Sequence, residues 1–380
     1  MRTRLLAVGQ AALPSGYSRV MEGLLAQLAP DCDVALLAVD ARERPPPRRS
    51  YPVYANPGGV HGEEMLPGVL AEEGPDVVLF NHDPALHAAN RHTLDSYRAR
   101  RPGVRVVTYT PASEWSAPQL AGADLAVLYT DAAREVVAEA ALDPMPELAV
   151  VPHAIDVHRF RPLDRRAARR SLFPGRPELD DAFVVLNANR NIRRKRVDLT
   201  LRGFARFAAE RPDAYLYLHM GARDLGPDVE ALAADLGVAG RLLMTPHTGT
   251  RPEVSDERLN LVYNACDVGL STASAEGWGL VPFEHGATGA AQVLPDLGAH
   301  AELWPGHALL VPAAAPGEDG SGLVDPDDVA AALARLYEDP AERARLGARA
   351  RELANSPDLA WPAVGERWRE LLLRHPVRSA

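Results

Sequence analysis

The residues best suited to chemistry lie between Ser274 and Gly289. Two carboxylates, Glu276 and Glu284, are eight positions apart, and Gly277, Trp278, Gly279 and Leu280 follow the first directly. Glycines let backbone N–H groups come close to a ligand. A small-residue helix beginning near Pro282 adds free amides and the positive end of its dipole. Residues 266–271 read as a short buried strand, so Glu276 falls in the loop at that strand's carboxyl end, where open α/β sheets bind their ligands. Glu284, inside the helix, is expected to face the same cleft. The plain alternative is a solvated loop glutamate followed by a helix-surface one.

A second concentration of charge runs from Asn189 to Asp198, after a strand predicted over residues 182–187 and before a helix carrying Leu199, Leu201, Phe204 and Phe207. Among the 41 cationic residues of the chain, Lys195 is the sole lysine. A chain that has otherwise replaced lysine by arginine keeps one where a compact ammonium is needed; the alternative is a basic surface loop. Ser15 and Gly16 lie between the first strand, residues 5–8, and an apolar-periodic helix, a strand–loop–helix arrangement that makes an anion site or simply a turn with a helix cap at Ser15 or Ser18. His82 and Asp83 end the strand predicted over residues 76–80, where a histidine is suited to proton transfer near neutral pH or the pair caps the next helix. His247 lies in the loop Thr245-Pro246-His247-Thr248-Gly249.

The spacing of Glu276 and Glu284 inside Glu-Gly-Trp-Gly resembles the Glu-x7-Glu signature of the retaining glycosyltransferases of family 4, and Arg190 with Lys195 resembles that family's Arg-x4-Lys element. The resemblance implies an α/β protein of the GT-B fold: two Rossmann-like domains facing a central cleft, with a C-terminal helix crossing back to the first. It also implies roles. Arg190 and Lys195 would grip the donor diphosphate, stabilising the charge that builds on the leaving phosphate. Glu276 and the amides of Gly277, Trp278, Gly279 and Leu280 would hold the sugar hydroxyls, and Glu284 the ribose. His247 would lie near the nucleotide base, and Ser15 and Gly16 near the diphosphate.

The chain departs from the family pattern in three places. A glycine usually follows the lysine, and here Arg196 does. His153 and Ala154 replace the Asn-Gly of the interdomain passage. The His-Asp pair that many members carry after the strand of residues 104–109 is missing, with Glu114 and His82 as open candidates for its role on the acceptor side. The expected domains are residues 1–160, joined by a terminal helix at about 361–375, on the acceptor side, and residues 178–358 on the donor side. The implied function is metal-independent, front-face transfer of a hexose from a UDP- or GDP-type sugar to an acceptor hydroxyl. The rival readings are a nucleotide-sugar 2-epimerase, a sugar phosphorylase, or a non-catalytic nucleotide-sugar-binding protein. No further cofactor is implied.

Length and composition agree with this frame. At 380 residues, 47% hydrophobic and 24% charged, the chain is globular and long enough for two domains. A net charge of −10 argues against DNA as its main partner, since such binding rests on phosphate neutralisation. Two cysteines, Cys32 and Cys266, in apparent strands, and an N-terminal apolar run too short for a signal peptide point to a cytoplasmic protein. No run reaches the ~18 apolar residues that span a bilayer. The arginines of residues 42–49, interrupted by three prolines, could meet an acidic acceptor or a peripheral membrane surface, or form a solvated loop. The acceptor and the oligomeric state are not legible.

Overall fold

Strand-length runs without a polar face, such as residues 5–8 and 77–80, belong to parallel sheets covered by helices on both sides. The computed structural model describes residues 2–13, 15–43, 50–247, 252–314 and 322–373, and it divides into two compact units, Met1–Ala154 with Pro357–Ala380, and Ile155–Ser356. Unit 1 runs β1 (Thr3–Gly9), α1 (Gly16–Leu28), β2 (Cys32–Ala38), β3 (Val53–Ala55), α2 (Leu66–Glu73), β4 (Val77–Asn81), α3 (Pro84–Arg100), β5 (Arg105–Thr110), β6 (Leu125–Leu128), α4 (Asp131–Glu139) and β7 (Glu147–Val150). Its sheet is parallel in the order β3-β2-β1-β4-β5-β6-β7.

Unit 2 runs α5 (Arg165–Leu172), β8 (Phe183–Asn187), α6 (Val197–Ala208), β9 (Ala214–Leu218), α7 (Val229–Asp235), β10 (Leu242–Met244), α8 (Asp256–Ala265), β11 (Val268–Leu270), α9 (Leu280–Ala287), β12 (Ala291–Pro295), α10 (Gly298–Leu303), β13 (Leu309–Val311), α11 (Pro326–Glu338) and α12 (Pro340–Ala354). Its parallel sheet has the order β10-β9-β8-β11-β12-β13. The last helix, α13 (Trp361–Leu373), belongs to unit 1, where it packs on α1 and sets Trp368 edge-on against Tyr109 at 4.9 Å. Both sheets reverse their strand order once, beside β1 and β4 in unit 1 and beside β8 and β11 in unit 2. Such reversal points leave a crevice at the strands' carboxyl ends.

Three expectations are corrected. The domain boundary expected within residues 161–177 falls earlier: those residues belong to unit 2, which begins at Ile155. There α5 is fastened to the sheet by buried Arg169, whose Nη2 donates to Asp267 Oδ2 at 2.7 Å and whose Nε donates to the Ala265 carbonyl at 2.8 Å. Cys266 caps α8 and lies outside the strand, because Asp267 takes its own backbone and side-chain bonds to Val184 and the β11 ladder starts at Val268. Helix α9 begins at Leu280, two residues before the expected start. Gly279, at φ +92°, turns the chain, and Pro282 sits within the first turn, where no N–H is required of it. Strand β3 and helix α2 were not expected. Both cysteines are free and buried. No helix among the described residues is long and apolar enough to cross a membrane. The expected basic loop at residues 44–49 and the turn at residues 317–321 lie outside the described residues.

Candidate active site

In unit 2 the loop after β8 and the loop after β11 meet at the sheet's reversal point. A layer of small polar side chains beneath them sets their spacing. Asn187 donates to Thr200 Oγ1 at 2.9 Å, Thr200 bonds to Thr272 at 2.7 Å, and Thr272 donates to the Arg196 carbonyl at 2.8 Å. The Ser274 amide closes the contact on the Arg194 carbonyl at 2.9 Å. Asn187, Thr200 and Thr272 are thus the floor that joins the two loops.

On that floor Lys195 Nζ donates directly to Glu276 Oε2, and both side chains are nearly buried, at 10% and 12% exposure. Arg194 Nη1 lies 3.6 Å from the same oxygen and also donates to the Ala275 carbonyl. Burial alone would raise the Glu276 carboxyl, but the charges of Lys195 and Arg194, with His300, outweigh it and hold the group down at about 2. Burial lowers the Lys195 ammonium from its ordinary value while Glu276 opposes the shift. The product is an ionised pair shielded from water, in which Coulomb attraction is stronger than at a surface.

Arg196 stands where family members usually have glycine, and its backbone is left-handed, at φ +45°. Such a conformation costs a residue with a Cβ about 1–2 kcal/mol. A two-pronged bond to Asp198, at 2.9 and 2.7 Å, holds it. Gly279 meets a different demand. A Cβ there would lie 2.8 Å from His300 Nε2 and 3.5 Å from Glu276 Cγ, so only glycine lets the Glu-Gly-Trp-Gly turn settle onto α10. The Ala299 amide of that helix donates to the Glu276 carbonyl at 3.2 Å.

The remaining sequence-derived residues fall in several places. Arg190 does not join the pair; it is about half exposed and forked onto Asp224 at 2.6 and 3.0 Å. Glu284 is buried in α9 and accepts from the Tyr263 hydroxyl at 2.6 Å. The Trp278 ring, 3% exposed, is stacked on Phe283 at 5.0 Å and belongs to the core, so only its backbone is available to a ligand. Gly277 and Leu280 flank the turn, and Gly279 caps α9 without a side-chain bond. His247 Nδ1 is 2.9 Å from the Thr245 carbonyl, and residues 248–251 lie outside the described residues. Sequence reasoning missed Arg194 and His300; the second follows the carboxyl end of β12, the position that could have drawn attention to it.

Unit 1 carries its own cluster at its reversal point. Ser15 caps α1 by accepting from the Ser18 amide at 3.1 Å, and Gly16 is the first helical residue. Asp40 occupies the amides of the loop after β1: its Oδ1 accepts from Ala11 at 2.8 Å and Ala12 at 3.1 Å, and its Oδ2 from Leu13 at 2.9 Å. The expected anion site therefore holds the protein's own carboxylate. His82 stacks on Tyr17 at 4.3 Å, and the Tyr17 hydroxyl donates to Asp83 at 2.5 Å. Burial lowers the His82 pKa, against the pull of Asp83. Glu114 is exposed in the turn after β5.

No family model matches the chain. It is 32% identical over 332 residues to a D-inositol 3-phosphate glycosyltransferase of Kineococcus radiotolerans, a match covering 83% of this chain and 71% of that protein. A protein of the same name from Geodermatophilus obscurus is 36% identical over 188 residues, 47% of this chain and only 39% of that relative's length. Among solved structures, HepE of Anabaena in complex with UDP and glucose superposes with a TM-score of 0.75 at 18% identity, covering 98% of this chain and 100% of that one. With two parallel sheets of Rossmann order and a relative matched over most of both lengths, the chain belongs to the family 4 glycosyltransferases and has the GT-B fold.

Proposed function

We propose that the protein transfers a hexose from a nucleoside diphosphate sugar, of UDP or GDP type, to an acceptor hydroxyl with retention of anomeric configuration. The observation that carries this reading is the contact between Lys195 and Glu276 across the two loops of unit 2. An ammonium and a carboxylate in direct contact across two loops are positioned to hold neighbouring parts of one small molecule. In this reading the donor phosphate replaces the carboxylate on Lys195, and Glu276 turns to the sugar hydroxyls. The relatives' name supports glycosyl transfer, and the UDP and glucose bound to HepE support the donor class.

In the reaction the acceptor oxygen attacks the anomeric carbon from the side of the departing diphosphate. The bond from that carbon to the phosphate oxygen breaks with its electron pair on the phosphate, which takes the acceptor's proton. Lys195 and Arg194, with Arg190 if it leaves Asp224, offset the growing negative charge, the part a divalent metal plays elsewhere. Glu284 would hold the ribose, with the Tyr263 bond fixing its direction.

A thermal-shift screen of UDP and GDP tests the first step. A nucleotide at a hundred times its Kd stabilises the folded state by about 2.7 kcal/mol, a readily measured rise in Tm. Slow donor hydrolysis without acceptor, followed by NMR, should then release the sugar first as the donor's own anomer. No shift with any nucleoside diphosphate, or the opposite anomer first, would overturn the reading.

A further inference from the structure

Among the described residues, His300 is a fully buried ionisable side chain beside the Lys195–Glu276 pair that the mechanism above leaves without a task. It is 0% exposed, and neither ring nitrogen has a hydrogen-bond partner among the described residues. Buried polar atoms nearly always have partners, and one that does not calls for an explanation. Its surroundings are specific. Its Nε2 and Glu276 Cγ both lie within 3.5 Å of the point where a Gly279 Cβ would stand, and the neighbouring Ala299 amide already holds the Glu276 carbonyl. The carboxylate oxygens are two bonds beyond Cγ, so the Glu276 carboxylate and the imidazole are neighbours around the same Gly279 turn.

We propose that His300 is a positioning residue that receives the Glu276 carboxylate when a donor diphosphate draws Lys195 away. The inference rests on the reading of Lys195 as the cation of the diphosphate. In the structure Glu276 is satisfied by Lys195 and Arg194, and the imidazole has no hydrogen bond among the described residues. Once phosphate oxygens take the ammonium, a buried carboxylate would lose its closest cation, a costly state unless another donor replaces it. The Nε2–H of His300 is that donor. Its bond fixes one carboxylate oxygen and leaves the other turned to the donor sugar. Burial lowers His300 to about 4, against the pull of Glu276, so the ring is neutral and serves as a hydrogen-bond donor without adding a charge that would compete for the phosphate. The exchange involves no covalent step: one ion pair opens, and one hydrogen bond forms.

The test uses full-length His300→Leu and His300→Gln, with Tm, and titration calorimetry of a nucleoside diphosphate and its sugar conjugate: UDP and UDP-glucose, or GDP and GDP-mannose if the screen selects guanosine. Leucine fills the space with no polar atom to bury, so Tm should be unchanged or higher. Affinity for the sugar nucleotide should fall about tenfold, with affinity for the bare nucleotide within twofold of wild type. Glutamine, which can donate from a similar position, should keep both affinities within about threefold. Sugar-nucleotide affinity within twofold in the leucine variant, or equal loss for both ligands, would overturn the proposal, as would a fall in Tm that accounts for the loss. Wild-type protein that binds no nucleoside diphosphate would instead remove the underlying functional reading, and this inference with it.

Discussion

The two reversal points of the molecule are built alike and filled differently. Each lies where a sheet changes strand order, and at each an anion-binding device is held by the chain's own acid. In unit 1 the acid is Asp40, a short side chain clasping three successive backbone amides. In unit 2 it is Glu276, a longer side chain on Lys195, with Arg194 in reach and His300 beside it. A ligand displacing Asp40 has to break several backbone bonds together. One displacing Glu276 breaks a single close contact, and a second resting place exists. The first arrangement is a brace and the second an exchangeable contact, although both begin as a loop between a strand and a helix.

The largest effect that would sharpen this contrast comes from Lys195→Met. Turnover should fall about 10²-fold or more, the scale for a lost electrostatic stabiliser. Glu276 is then left buried without its main partner, so Tm should fall as well. Adding Glu276→Gln should recover much of the Tm while leaving turnover low, a double-mutant separation of stability from chemistry. A single variant that turns over within a few-fold of wild type would break the comparison outright.

Asp40→Ala should have the next effect, on stability alone. Charge-assisted bonds to three amides are lost, so denaturant unfolding should report a loss of about 1–3 kcal/mol, with nucleotide affinity unchanged. Tighter nucleotide binding in this variant would mean that the unit 1 loop is an exchangeable site after all. The smallest effect belongs to Arg196→Gly. Relief of the left-handed backbone and loss of the Asp198 fork oppose each other, and the net change should stay within about 1 kcal/mol with turnover intact. A large fall in turnover would give the Arg196 side chain a part in the chemistry.

Much of this was legible because it is local. A buried run followed by a loop and an amphipathic helix reads directly as a βα unit, so β1, β4, β8 and β11 were found to within a residue or two, and with them the loops that carry Lys195 and Glu276. What the residues do across the sheet was harder. Arg190 and Arg194 are chemically identical in the sequence, and only the fold sends one to Asp224 and the other to Glu276. Trp278 sits between two glycines, yet its ring turns inward to stack on Phe283, in the first turn of α9. His300 is 24 residues beyond Glu276 and gains meaning only when α10 docks under Gly279. Strand β3 has three residues in a proline- and glycine-rich setting, too few for its period to register.

The placement of α13 has a consequence for how the protein is made. The Trp361 ring occupies the space where a side chain at Gly23 would project, and Trp368 is fully buried against Tyr109. Those partners leave the ribosome more than two hundred residues before their tryptophans do. At 5–20 residues per second, the sheet of unit 1 must wait on the order of ten seconds or more with an apolar flank uncovered. Unit 2, contiguous from Ile155 to Ser356, has its whole complement in hand first. The half of the protein synthesised earliest is therefore the half that finishes last, and during that interval it is the part most in need of a chaperone.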